Sequence, residues 1–227
     1  MSNKIEKPAP DLAERLLSRS TKIREMAGVD SSVLGLSAPN REILVLLLDV
    51  SASMGSPCEI CAGAGISDPS MTKLQALQEA IKTLSQKILS RIPPTTYLQI
   101  VEFDSKARYV PVTGAALAAS GDTNMIDGMD LAFEVLRKAS GFRSHRVILM
   151  SDGRPTCSYD EVKKKAAEFA LYGFVIDTVA FGADADARFL KDIADATGGI
   201  SYEASSVSGL VESFALLDTP VRGLLTS

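Results

Sequence analysis

The sequence predicts a doubly wound α/β fold: a mostly parallel six-stranded sheet with one antiparallel edge strand and helices on both faces. Three observations predict it. The run Ile43-Leu44-Val45-Leu46-Leu47-Leu48 is apolar throughout, the pattern of a strand covered on both faces, as in a parallel sheet. Apolar strand-like runs then alternate with amphipathic helical stretches almost to the end of the chain, which is the signature of βαβ units. Between 96–104 and 106–113 the connection is too short for a crossover, so this pair makes an antiparallel hairpin whose second strand lies at an edge.

In chain order, residues 11–27 form a helical candidate outside the alternating pattern. Leu12, Leu16, Ile23 and Met26 fall roughly on one face, and a Ser/Gly/Pro-containing connector follows at 28–40. This segment reads either as a helix packed across the domain or as a detachable element that docks on a partner. The first strand is 42–49. Helix Lys73–Leu89 carries Leu74, Leu77, Ile81, Leu84 and Ile88 at three- and four-residue spacing and stops before Pro93-Pro94. After the hairpin come a helix near 124–139 and a strand at 145–151 around Val147-Ile148-Leu149-Met150. A helix at 159–171, a strand at 174–181, a helix at 186–196 and a strand at 200–204 follow. A last helix at 206–217 begins after Ser205-Ser206 and ends before Pro220. The organisation is therefore an extension at 1–40, one domain at 41–218 and a tail at 219–227.

A chain of 227 residues with 46% hydrophobic content buries a substantial core in one α/β domain. Twenty-four basic against 28 acidic residues leave a net charge of −4, which gives no electrostatic reason to expect nucleic acid or an anionic membrane as partner. The amino terminus, Met1 to Pro8, has charges where a signal peptide needs an apolar stretch. No apolar run approaches the ~20 residues that span a bilayer. Three cysteines, an odd number in a chain too long to need staples, agree with a reducing compartment. The expected location is cytoplasmic.

Three stretches place oxygen ligands just after a strand or before a helix: Asp49/Ser51/Ser53, Thr123 within Gly121-Asp122-Thr123-Asn124, and Asp152 within Met150-Ser151-Asp152-Gly153. If the strand order reverses between the first and fourth strands, both carboxylates flank the crevice of a doubly wound sheet, where such sheets bind ligands. Two carboxylates, three hydroxyls and a water meet the demand of magnesium for about six hard oxygens. Because hydroxyls are neutral, the ion keeps positive charge and accepts an acidic group from another molecule. The plain readings stand beside this one: Ser51 and Ser53 as turn residues, and Thr123 as a helix N-cap with Asp127 in the first turn.

The pattern Asp-x-Ser-x-Ser, then Gly-x-Thr, then Ser-Asp-Gly resembles the metal-ion-dependent adhesion site (MIDAS) of von Willebrand factor type A (VWA) domains, over about 40–218. Within that family the chain resembles the compact bacterial intracellular, TerY-like branch more than the secreted integrin-type modules. The resemblance implies a Rossmann-like VWA fold, with Asp49, Ser51, Ser53, Thr123 and Asp152 as ligands of Mg2+, for which Mn2+ or Ca2+ are substitutes. It also implies a metal-dependent protein–protein interaction module whose partner presents Asp or Glu. Relatives of this type sit beside kinases, phosphatases or ATPases in stress and defence systems. Asp122 departs from the Gly of many relatives and adds negative charge, or is simply solvated.

The loop from Met54 to Asp68 carries Cys58-Glu59-Ile60-Cys61, and Cys157 follows Asp152 at the same predicted end of the sheet. A zinc site at Cys58, Cys61 and Cys157, completed by Glu59 or Asp160, and a Cys58–Cys61 redox pair are both open. The plainer reading is a set of small residues in a partner-contacting loop, which Gly63 and Gly65 make mobile. Catalysis has a rival claim on Asp49, because aspartyl-phosphate phosphatases also place a nucleophilic aspartate at the end of the first strand. They need an acid two residues on, where this chain has Ser51. The single histidine, His145, is predicted at the opposite end of the sheet, and Walker or dinucleotide-binding glycine patterns are missing. A binding module and not an enzyme is the expectation, with a Mg2+-dependent phosphatase-like hydrolase or a purely structural metal scaffold as alternatives.

Overall fold

The computed structural model describes residues 41–58, 71–88, 96–111, 117–139, 142–204 and 207–215, with backbone alone for 83–88 and 212–215. The expected helix at 11–27 and the tail lie outside these residues. Strands β1 (Glu42–Asp49), β2 (Thr96–Phe103), β3 (Ala107–Val110), β4 (Ser144–Ser151), β5 (Val175–Phe181) and β6 (Ser201–Ala204) form one sheet in the order β3-β2-β1-β4-β5-β6. All neighbours are parallel except β2–β3. The edge hairpin is where its short connection requires it. β3 is shorter than the expected 106–113 and stops before Pro111, which has no N–H for the ladder.

The apolar run in β1 has a direct structural cause. Ile43, Val45 and Leu47 enter one core, with helices α2 (Met125–Lys138), α3 (Tyr159–Leu171) and α4 (Ala187–Thr197) over them. Leu44, Leu46 and Leu48 enter a second core beneath α1 (Lys73–Ile88) and α5 (Val207–Ala215). Each strand residue is thus buried on its own side, at about 1.5–3 kcal/mol for a fully buried Leu, Ile or Val. The predicted stripe on α1 delivers Leu74 and Leu77, joined by Ala76 and Ala80.

Helix α2 lies unusually close to the sheet because Gly128 faces it. A Cβ there would stand 2.9 Å from the Phe103 ring and 3.1 Å from Leu47 Cδ1. The start of α2 is capped by Asn124, whose Oδ1 accepts from the Asp127 N–H at 3.3 Å. Thr123, for which a helix cap was the plainer alternative reading, is one residue too early to be the cap and is left available for another role.

At the switch point the chain leaves β1 for β2 on one side and later returns to β4 on the other, so β1 and β4 pair directly from Glu42↔Ser144 to Leu48↔Met150. Their carboxyl ends, Asp49 and Ser151, stand side by side.

Candidate metal centre

Asp49 is the last residue of β1 and is fully buried. Its Oδ1 accepts the Ser51 backbone N–H at 2.9 Å and its Oδ2 accepts the Ser151 hydroxyl at 2.6 Å. Burial pushes its carboxyl up to about 6, despite the hydrogen bonds from Ser151 and Ser51 that favour the anion; the nearby Asp152 carboxylate adds to the rise.

A single 3-10 turn, Ala52–Gly55, follows, anchored by the fully buried Met54 in the α1/α5 core. It carries Ser53 toward β4. The hydroxyls of Ser51 and Ser53 are 3.0 Å apart, and Ser53 Oγ donates to Asp152 Oδ1 at 2.8 Å. Asp49, Ser51, Ser53 and Asp152 therefore form one continuous hydrogen-bonded row across two loops.

Thr123, itself buried, reaches the same end through backbone clamps. Ala52 N–H donates to Gly121 O at 3.1 Å, Ser120 N–H to Val50 O at 3.0 Å, and Thr156 N–H to Thr123 O at 3.0 Å. Its loop is thereby held between the loop after Asp49 and the loop after Asp152. Asp104 fastens it from behind, accepting from Ser120 Oγ at 2.8 Å and from Arg108 Nη2 at 3.0 Å, while its carbonyl accepts the Asn124 N–H. Burial opposes charge on Asp104, but the Arg108 guanidinium, the Lys106 N–H and the Ser120 hydroxyl outweigh it and hold its carboxyl at about 2. Asp122 is exposed, the solvated reading of that position.

Two further groups escaped the sequence reading. Lys73, first residue of α1, buries its side chain to 6% exposure and donates from Nζ to Asp152 Oδ2 at 2.8 Å and to Asp184 Oδ1 at 2.7 Å. Burial disfavours its charge, yet the bonds to Asp152 and Asp184 prevail and raise it above the usual lysine range. A signal for Lys73 was present: a cation in the first turn of a helix opposes the macrodipole and needs a reason to be there. Asp184 lies just past the carboxyl end of β5, as Asp49 stands at that of β1, so the carboxyl-edge rule applied to it as well.

The structure thus gathers Asp49, Ser51, Ser53, Thr123 and Asp152 at one edge. Among the described residues no cluster of three or more His, Cys, Asp or Glu side chains is placed for a metal ion; here the carboxylates number two, and hydroxyls make up the donor set. Hard oxygens of this kind suit Mg2+, Mn2+ or Ca2+.

Among the described residues, Cys58 and Cys157 are not brought together. Cys58 is disulfide-bonded and buried in the α1/α5 core, whereas Cys157 is a free thiol against the α2–α4 core, on the other face of the sheet. An oxidised sulfur is no thiolate ligand, which corrects the three-cysteine zinc reading. Cys61 and Glu59 lie outside the described residues. His145 is at the opposite end, its Nε2 2.9 Å from Ala139 O and its ring beside Phe174, and burial lowers its basicity.

A six-stranded mixed sheet of this order, with hydroxyl-rich loops at its carboxyl edge, defines a class. The chain belongs to the von Willebrand factor type A domain family, which it matches over residues 44–215; domains of this family are generally protein–protein interaction modules. Among curated proteins it is similar to calcium-activated chloride channel regulator 1 of Sus scrofa, 28% identical over 170 residues, covering 66% of this chain and 17% of that protein. The Homo sapiens counterpart is 31% identical over 122 residues, covering 51% of this chain and 12% of that protein. The chain thus spans less than a fifth of these relatives. Among solved structures, a von Willebrand factor type A protein from Catenulispora acidiphila superposes with a TM-score of 0.60 at 19% identity, covering 79% of this chain and 42% of that one. The SpRpn10 VWA domain superposes at 0.59 and 16% identity, covering 80% and 99%. These likenesses concern the fold.

Proposed function

We propose that the chain is a Mg2+-dependent protein-interaction module, in which Asp49, Ser51, Ser53, Thr123 and Asp152 hold the ion, some through water. The observation that carries this reading is the row Asp49–Ser51–Ser53–Asp152, already aligned by hydrogen bonds of 2.6–3.0 Å involving these residues and Ser151. The ion supplies a Lewis-acidic point that an Asp or Glu of a partner can ligate; Mn2+ and Ca2+ are alternative occupants. The residues of this chain position that point, and the two carboxylates leave a divalent ion incompletely shielded by its neutral hydroxyl ligands. This reading is of binding and not of catalysis, and what supports it is that Ser51 occupies the place of a phosphatase's acid catalyst and His145 is at the far end.

The motif's likeness to the TerY-like branch supports a place in a bacterial stress or defence system, with a kinase, phosphatase or ATPase as partner; the disulfide at Cys58 does not fit the reducing compartment expected from the cysteine count. No helix among the described residues is long and apolar enough to cross a membrane.

The test is a pull-down with the immobilised chain, in Mg2+ and in EDTA, repeated with Ser53→Ala. A partner retained in Mg2+ and lost in EDTA and with the variant supports the reading. Equal retention in all conditions sinks it, and magnesium-dependent turnover of a phosphoester that Asp49→Asn abolishes would favour the hydrolase instead.

A further inference from the structure

Both oxygens of Asp152 are engaged, one by the Ser53 hydroxyl and the other by the ammonium of Lys73. The two partners of Lys73 differ sharply: the Asp152 side chain is 0% exposed and that of Asp184 is 68% exposed. Asp49, in contrast, has a hydroxyl and a backbone amide as partners. Lys73 therefore stands on one of the two carboxylates of the site and supplies there the positive charge that a metal would bring.

Space is kept for this side chain. Gly182, at φ +97°, lies against it: a Cβ would stand 3.2 Å from Lys73 Cε and 3.1 Å from Asp184 Oδ1. A recess of about 260 Å3 opens alongside, lined by Ser56, Pro57, Cys58, Gly182 and Asp184 as well as Lys73. The lysine has a second, solvated anion within reach and an open volume beside it.

We infer that Lys73 is a tethered cation that holds Asp152 in the metal-free protein, and that Asp184 is the seat that retains its ammonium when a divalent ion takes Asp152. The inference rests on the metal reading proposed above. Burying an unpaired carboxylate is costly, so the lysine keeps the empty site folded; by the same contact it competes with the ion. Asp184 lowers the cost of that exchange, because the ammonium leaves one anion without losing both. Ion binding is thereby coupled to the loop after β5, whose Ala183 and Asp184 form the rim on which a partner would land.

The experiment is titration of the purified chain with MgCl2 by calorimetry, beside thermal unfolding in EDTA, for wild type, Lys73→Met, Asp184→Asn and the double variant. Lys73→Gln serves as a second variant that retains a hydrogen-bond donor without charge. Lys73→Met and Lys73→Gln should bind Mg2+ roughly tenfold more tightly while unfolding at lower temperature in EDTA. Asp184→Asn should bind severalfold more weakly, and that loss should fall below about twofold in the Lys73→Met background, because Asp184 acts through the lysine. Unchanged affinity on removing Lys73, with wild type binding normally, overturns the inference and leaves the metal reading intact. Strictly additive effects show simple charge attraction and overturn the role of Asp184. Absence of Mg2+ binding in every variant overturns the inference and the metal reading together.

Discussion

Ser53 and Asp152 are separated by 99 positions in the chain and joined by a 2.8 Å hydrogen bond from hydroxyl to carboxylate. That bond ties the turn after β1 to the loop after β4 and makes the donor row a single unit before any ion arrives. Preassembly lowers the ordering cost that binding would otherwise meet.

Replacing Ser53 by Ala leaves Asp152 Oδ1 without its hydroxyl partner in a buried setting. A loss of about 1–3 kcal/mol in metal-free stability is expected, measurable by denaturant unfolding in EDTA, together with weaker Mg2+ binding. A stability within error of wild type would show that the row is not held by this bond.

Magnesium should stabilise the wild type by mass action, about 2.7 kcal/mol at a hundred times the dissociation constant. For a domain of this size that is a rise in melting temperature of roughly 5–10 °C. Asp49→Asn should remove the response, and a melting curve indifferent to Mg2+ and EDTA would refute the assignment of Asp49 as a ligand.

The pH dependence of the metal-free protein follows from the same residue. Burial raises Asp49 from 3.8 to about 6, so the folded state holds its proton more tightly than the unfolded chain. The stability linked to that proton is full below about pH 4 and is lost as pH rises through about 6, a fall of roughly 3 kcal/mol. Asp49→Asn should flatten this segment of the stability profile. Because a ligand carboxylate must be ionised, Mg2+ stabilisation should shrink below about pH 6.

Asp104 has the opposite sign. Its carboxyl is held at about 2, so its contribution is present above about pH 4 and fades as pH falls toward 2. Asp104→Ala should cost about 1–3 kcal/mol at neutral pH and weaken Mg2+ binding by releasing the loop of Thr123. Intact Mg2+ affinity in a destabilised variant would mean that the loop keeps its place without this anchor.

Gly128→Ala trades a gain of about 1 kcal/mol in helix propensity against overpacking on the Phe103 ring, which costs about 1–3 kcal/mol. The contact would be 2.9 Å to a fully buried ring, so net destabilisation is expected in thermal unfolding, and Gly128→Val should be worse.

Much of this was legible in the sequence, for reasons particular residues show. The unbroken apolar run in β1 followed from its two cores, and the hairpin from its short connection. That Asp49, Ser51, Ser53, Thr123 and Asp152 come to one place was readable because strand ends and helix starts converge at one edge of a doubly wound sheet. Lys73 and Asp184 each left a local hint, a cation in a helix's first turn and an acid just past β5, but their pairing across 111 positions leaves no local pattern. The choice of Asn124 over Thr123 as cap depends on where the first helical dihedral falls, and adjacent residues with equal capping chemistry do not reveal it. The three-cysteine zinc reading did not foresee that Cys58 is disulfide-bonded and that Cys58 and Cys157 pack on opposite faces of the sheet, because position in a loop does not reveal either.

The pairing of β1 with β4, Glu42 against Ser144, joins segments about a hundred residues apart. Such a ladder is slow to close, since the entropy of the loop must be met before the strands interact. On a ribosome adding roughly 5–20 residues per second, the apolar β1 emerges some 5–20 seconds before its partner exists. Until β4 is made, one edge of β1 is an open template for other nascent chains. The strand that ends in the candidate site is therefore also the segment on which chaperone protection during synthesis would act.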